Sequence, residues 1–103
     1  MAQPQNPKPQ VVFVDVDDTL IRTVGTKRIP LVHVINEVKQ LAASGHELTC
    51  WSSGSASYAR EVASELGIED CFGAFLAKPQ LLIDDQEPSQ WRYLEVKHPN
   101  EIS

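Results

Sequence analysis

Apolar residues in this chain come in short blocks, and most blocks stop at a polar cluster. Val11-Val12-Phe13-Val14 is continuously apolar and ends abruptly at Asp15. A run of this kind predicts a strand buried on both faces, as in a parallel sheet covered by helices. From Thr19 to Ile29 the pattern is mixed, and Gly25 between two short extended stretches predicts a small hairpin. Pro30 suits the first turn of a helix. Leu31, Val34, Ile35, Val38, Leu41 and Ala42 then follow the helical i, i+3, i+4, i+7 spacing as far as Gly45. Leu48 to Trp51 predicts a second strand and Ser52-Ser53-Gly54-Ser55 a polar loop. Tyr58, Ala59, Val62, Ala63 and Leu66 share one face of a second helix that Gly67 stops. Cys71 to Leu76 predicts a third strand, and Leu81-Leu82-Ile83 a fourth that ends at Asp84-Asp85. Beyond Glu87 two patterns compete: a helix opened by Pro88-Ser89, or an edge strand over Tyr93 to Val96. In both, Trp91 and Tyr93 are expected to seal the edge of the sheet.

Strands alternating with helices at this spacing predict an α/β fold, a small doubly wound (Rossmann-like) parallel sheet with flanking helices. At 103 residues there is room for one domain, expected over 11–103. Residues 1–10 hold three prolines and three glutamines with almost nothing to bury, the composition of a disordered tail. A hydrophobic fraction of 42% with 22% charged residues fits a folded soluble chain. Nine Lys+Arg against fourteen Asp+Glu, a net charge of -5, excludes a broad basic footprint for nucleic acid. The apolar runs are too short for a membrane span, and no basic stretch precedes an apolar one as in a leader peptide. Cys50 and Cys71 do not make a disulfide framework, so the expected compartment is the cytoplasm. A domain this small buries only about two-thirds of its unfolded surface. It has no residues to spare for a lid, so a site here is open, or closed by another subunit or by the substrate.

Ligands of parallel sheets bind at the carboxyl ends of the strands. Three of the predicted strands end in polar groups: Asp15-Val16-Asp17-Asp18-Thr19, Ser52-Ser53, and Asp84-Asp85. Brought to one edge, four or five carboxylates repel unless a cation or protonation neutralises them. An all-oxygen set of this kind suits Mg²⁺. His33 and His98 have no partner at metal-ligand spacing.

Asp15-Val16-Asp17-Asp18-Thr19-Leu20 behind an apolar strand resembles the first motif of the haloacid dehalogenase superfamily. Trp51-Ser52-Ser53-Gly54 resembles its second motif, Lys78 its third, and Asp84-Asp85 after Leu81-Leu82-Ile83 its paired acidic fourth. The resemblance runs from about Val11 to Asp85. It implies a capless phosphatase-like member, because the hairpin and single helix between the first two motifs leave no room for a cap domain. In that family Asp15 would be the nucleophile that forms an aspartyl-phosphate, and Asp17 the acid and base. Ser52 would hold a phosphoryl oxygen, with Ser53 and Gly54 completing the substrate loop, and Lys78 would be the catalytic cation. Asp15, Asp17, Asp84 and Asp85 would bind the Mg²⁺ that screens phosphate from carboxylate. The implied substrate is a phosphomonoester, on a macromolecule or enclosed by a second copy of the chain.

Spacing sets one condition on Lys78. If it began the fourth strand, it would lie roughly 20 Å from Asp84, at the wrong end of the sheet. It reaches the site only if Ala77 to Gln80 crosses the top, and Lys27, Arg28 and Arg60 are the cations that could replace it. Two other classes share these features. A receiver-like phosphoacceptor domain requires an Asp at the end of the third strand, where Cys71 to Leu76 has none. The other is a non-catalytic module that binds metal or phosphate without turnover.

Overall fold

The computed structural model describes residues 8–103. Most of the expected tail, residues 1–7, therefore lies outside the described residues. Five strands and two helices form: β1 (Val11–Asp15), β2 (Ile21–Val24), β3 (Lys27–Pro30), α1 (Val32–Ala43), β4 (Glu47–Ser52), α2 (Ala56–Glu65) and β5 (Ala74–Ala77). The result is an α/β fold with a three-stranded parallel sheet, order β1-β4-β5, and a separate antiparallel pair β2-β3.

The hairpin forms where Gly25 was expected to turn the chain. Its φ of 62° lies in the left-handed region that glycine enters without a Cβ clash. Pro30 does not open the helix; it pairs with Ile21 at the end of β3, and α1 starts two residues later. An edge strand accepts proline because no ladder donor is required of it there.

One face of the sheet carries the core. Val14, Leu48 and Cys50 are buried with Val34, Ile35 and Val38 of α1 and Ala59, Val62 and Ala63 of α2. Along β4 burial alternates: Leu48, Cys50 and Ser52 are buried, Glu47 is exposed, and Thr49 and Trp51 are half-buried. Among the described residues no helix covers the opposite face. Val11 is 66% exposed and Phe13 45% exposed, so the expectation of a β1 buried on both faces is corrected. The run is continuously apolar although only one side of it is covered. On the uncovered side Phe13 meets Trp51 edge to face, ring centroids 4.7 Å apart.

Four further expectations are overturned from Cys71 onward. The third strand starts late, at Ala74, because Glu69–Cys71 makes a 3₁₀ turn that tucks Ile68 and Phe72 into the core. The fourth strand does not form: Leu81, Leu82 and Ile83 lie in irregular chain, 78%, 48% and 90% exposed. Past Glu87 neither a long helix nor an edge strand appears, only short 3₁₀ turns at Pro88–Gln90 and Pro99–Glu101. Trp91 and Tyr93 are exposed and seal no edge. The chain then returns to the body, where His33 Nε2 donates to the Pro99 carbonyl at 3.1 Å and Ile102 packs on the core. No helix is long and apolar enough to cross a membrane among the described residues.

Leu48 is 3% exposed at the centre of this core. Leu48→Ala is expected to cost about 2–5 kcal/mol in urea unfolding, with the denaturant slope unchanged. A loss below about 1 kcal/mol would show that the core is centred elsewhere.

Candidate functional site

The turn after β1 is built around one carbonyl. The N–H groups of Thr19, Leu20 and Ile21 all donate to the Val16 oxygen, at 3.2, 2.9 and 3.3 Å, and the Asp18 N–H donates to the Ile21 oxygen at 2.7 Å. Asp18 takes φ 62°, a left-handed conformation that aspartate tolerates better than most residues. Val16, Leu20 and Ile21 are fully buried and anchor the turn, so the acids between them are left at the end of the sheet. Asp15 is half-buried, and its Oδ2 accepts from Thr19 Oγ1 at 3.1 Å.

Lys78 reaches this end of the sheet. Its N–H donates to the Ser52 carbonyl at 2.9 Å, which continues the β4-β5 ladder by one residue. Its Nζ lies 3.1 Å from Asp15 Oδ1 and 5.8 Å from the centre of the Trp51 ring. Lys78 thus reaches Asp15 without the crossing of Ala77 to Gln80 that the sequence reading required: no fourth strand begins there, and the lysine extends β5 by one residue. Two of the other candidate cations are paired with glutamates. Arg28 pairs with Glu65 at 2.7 Å and Glu61 at 3.6 Å, and Arg60 pairs with Glu69 at 3.0 Å.

The loop from β4 into α2 completes the site. Ser52 is 1% exposed and its Oγ accepts from the Gly54 N–H at 3.0 Å. A Cβ on Gly54 would lie 3.3 Å from that Oγ and 3.2 Å from the Tyr58 ring, so a side chain there would push Ser52 or Tyr58 aside by a few tenths of an ångström. Ser53 and Gly54 are exposed. Ser55 caps α2, its Oγ accepting from the Tyr58 N–H at 2.9 Å. The positive end of the α2 dipole and its free N–H groups therefore lie beside the acids, an arrangement suited to an anion.

Tyr58 is a site residue that sequence reasoning assigned to the core face of α2. Its hydroxyl donates to Asp17 Oδ1 at 2.8 Å while its ring packs against the core. Burial, and then the hydrogen bond to Asp17, raise the Tyr58 pKa above its ordinary value. The phenol stays protonated and remains a donor. Periodicity could not separate the ring from its polar end. Its place three residues after the capping serine was the available signal.

The acids are only partly gathered. Asp84 and Asp85 are exposed on the segment after Ile83, and Asp84 Oδ1 accepts from the Gln86 N–H at 2.9 Å in a local turn. Among the described residues no group of three or more acidic, histidine or cysteine side chains could hold a metal ion. The expected convergence of Asp84 and Asp85 with Asp15 and Asp17 is therefore corrected, and its physical reason is the unformed fourth strand. Mg²⁺ demands near-octahedral oxygen ligation. Asp15 is already engaged by Lys78 and Asp17 by Tyr58, so the single chain does not fit that ion.

No protein-family model matches this chain, and comparisons with curated proteins and with solved structures find no match either.

Beneath the site, burial and then the Asp15 charge push the Cys50 thiol up to about 12. Cys71 is less buried. A thiol reagent at pH 8 is expected to label Cys71 in the native protein and Cys50 only after unfolding, read by intact mass. Because the folded pKa of Cys50 lies above the unfolded one, its contribution to stability is complete below about pH 8.5 and is lost as pH rises toward 12. The alkaline decline in stability is expected to be shallower in Cys50→Ala; an unchanged slope would contradict the assignment.

Proposed function

We propose that this chain is a phosphomonoester phosphohydrolase that works through an aspartyl-phosphate on Asp15, with the doubly wound haloacid dehalogenase-like architecture its motifs resemble. The observation that carries the reading is the 3.1 Å contact between Lys78 Nζ and Asp15 Oδ1 at the carboxyl end of the sheet, beside the Ser52 loop. A carboxylate attacks a phosphate dianion only if the repulsion is screened, and a lysine at this distance partly supplies that screening.

The residues divide the work as follows. The Ser52–Ser55 loop and the α2 N-terminus hold the phosphoryl oxygens. Asp15 forms an O–P bond as the ester O–P bond breaks, and Asp17 in its acid form gives its proton to the leaving oxygen. Tyr58 donates to Asp17 Oδ1 and holds the carboxyl in place, leaving Oδ2 to carry the proton. A water then attacks phosphorus and yields its proton to Asp17. The Asp15–phosphorus bond breaks, and inorganic phosphate leaves. With no element of the described residues arching over this edge, the substrates that suit it are phosphate groups on larger molecules. The two-acid set favours one second reading, a phosphate-binding module that does not turn over.

The test is hydrolysis of an aryl phosphate in the presence and absence of Mg²⁺. Wild type is expected to turn over, Asp15→Asn to lose the activity by several orders of magnitude, and Lys78→Met by roughly 10²–10³-fold. Turnover unaffected by Asp15→Asn would overturn the nucleophile assignment. A wild type that is inert yet binds inorganic phosphate in calorimetry would establish the binding module instead. Tyr58→Phe keeps the ring, removes the hydrogen bond to Asp17, and is expected to lower kcat while leaving KM nearly unchanged.

A further inference from the structure

The sheet and the segment after it are each half of an interface. β1 pairs only with β4 among the described residues, so its outer edge presents free backbone donors and acceptors. Next to that edge lies the uncovered face, with Val11, Phe13, Trp51 and Leu76. Against this stands an arm, residues 81–96, on which Leu81, Leu82, Ile83, Tyr93, Leu94 and Val96 are largely exposed. Soluble monomers rarely expose contiguous apolar surface on this scale.

The arm cannot reach the β1 edge of its own chain as a parallel strand. From Ala77 at the top of β5 it would have to cross three strand spacings, roughly 14 Å, and descend about four residues, roughly 13 Å. That is a diagonal near 20 Å, and the four residues from Ala77 to Leu81 span at most roughly 14 Å. A second copy has no such restriction. Judged from side-chain size, the arm and face together would bury roughly 1,000 Å² per copy. Stable interfaces need about 800 Å² per partner.

We propose that two copies of this chain exchange their arms. Leu81–Ile83 of each copy pairs in parallel with the free edge of β1 in the other, and the rest of the arm covers the exposed face. The exchange is reciprocal, so it closes as a two-fold dimer. It also sets Asp84 and Asp85 at the carboxyl end of the other copy's sheet, beside Asp15 and Asp17. That last step rests on the phosphohydrolase reading. The site of each copy would then be completed by acids that its own chain holds at a distance.

Sedimentation equilibrium of the full chain at micromolar concentration decides the assembly. A mass of twice 11.5 kDa is expected for wild type. Leu81→Asp/Ile83→Asp on the arm, and separately Val11→Asp on the edge, are expected to give monomers with unchanged circular dichroism, because all three side chains are mainly exposed in the single chain. A monomeric wild type, or a dimer that survives both variants, would overturn the exchange. Mixing Asp15→Asn with Asp84→Asn/Asp85→Asn then probes the shared site. Random pairing makes half the dimers mixed, each with one intact site, so about a quarter of the wild-type rate is expected to return. No recovery while wild type turns over would overturn the shared site. An inert wild-type dimer would sink the phosphohydrolase reading and leave the exchange standing.

Discussion

The parallel register of β4 with both its neighbours positions everything at the candidate site. Asp15 pairs with Trp51, Trp51 with Leu76, and Ser52 with Ala77, so the chain leaves β1, β4 and β5 at one level. The residue after each pairing is then a short step from the others. Lys78 can touch Asp15 across the width of β4 only because its N–H extends the ladder to the Ser52 carbonyl. The same register stacks Val14 on Cys50 on the helix side, so the core and the site are two consequences of one pairing.

The two acids that the single chain does gather are each held by a partner. Lys78 neutralises Asp15, and Tyr58 gives Asp17 a hydrogen bond in place of a counter-ion. A third and fourth carboxylate arriving without a cation would meet repulsion that one lysine cannot offset. Asp84 instead satisfies itself in a local turn on solvent-exposed chain. The half-exposed Lys78–Asp15 pair contributes little to stability in itself. Its consequence is positional, since it fixes the carboxylate and the ammonium side by side at the open edge.

Much of this was legible in the residues, and the failures share a cause. The hairpin, both helices and the first two strands follow from local periodicity and from glycines at their ends, which need no knowledge of the rest of the chain. Asp15, Asp17 and Ser52 follow from the rule that chemistry gathers at carboxyl ends of parallel strands. What pattern could not supply was which sheet edge each later segment meets. Leu81-Leu82-Ile83 has the composition of a strand, yet a strand exists only where a partner edge lies within reach. Three residues between Ala77 and Leu81 do not allow it. Likewise, the run Val11 to Val14 is apolar on both sides, and its outward side chains, Val11 and Phe13, look out from a face that the described chain leaves bare.

These two failures are complementary. An apolar strand without an edge and an apolar edge without a strand occur in the same molecule, at sites its own connection is too short to join. A chain of 103 residues is poorly placed to leave both exposed, because its core is already small for its surface. Pairing between copies satisfies the free β1 backbone, covers Phe13 and Trp51, and removes the arm from water in one step. It would also turn the one-directional order β1-β4-β5 into a sheet extended on both sides of β1. In that arrangement the acids stay apart until two chains meet, so the repulsion between them falls on assembly rather than on folding.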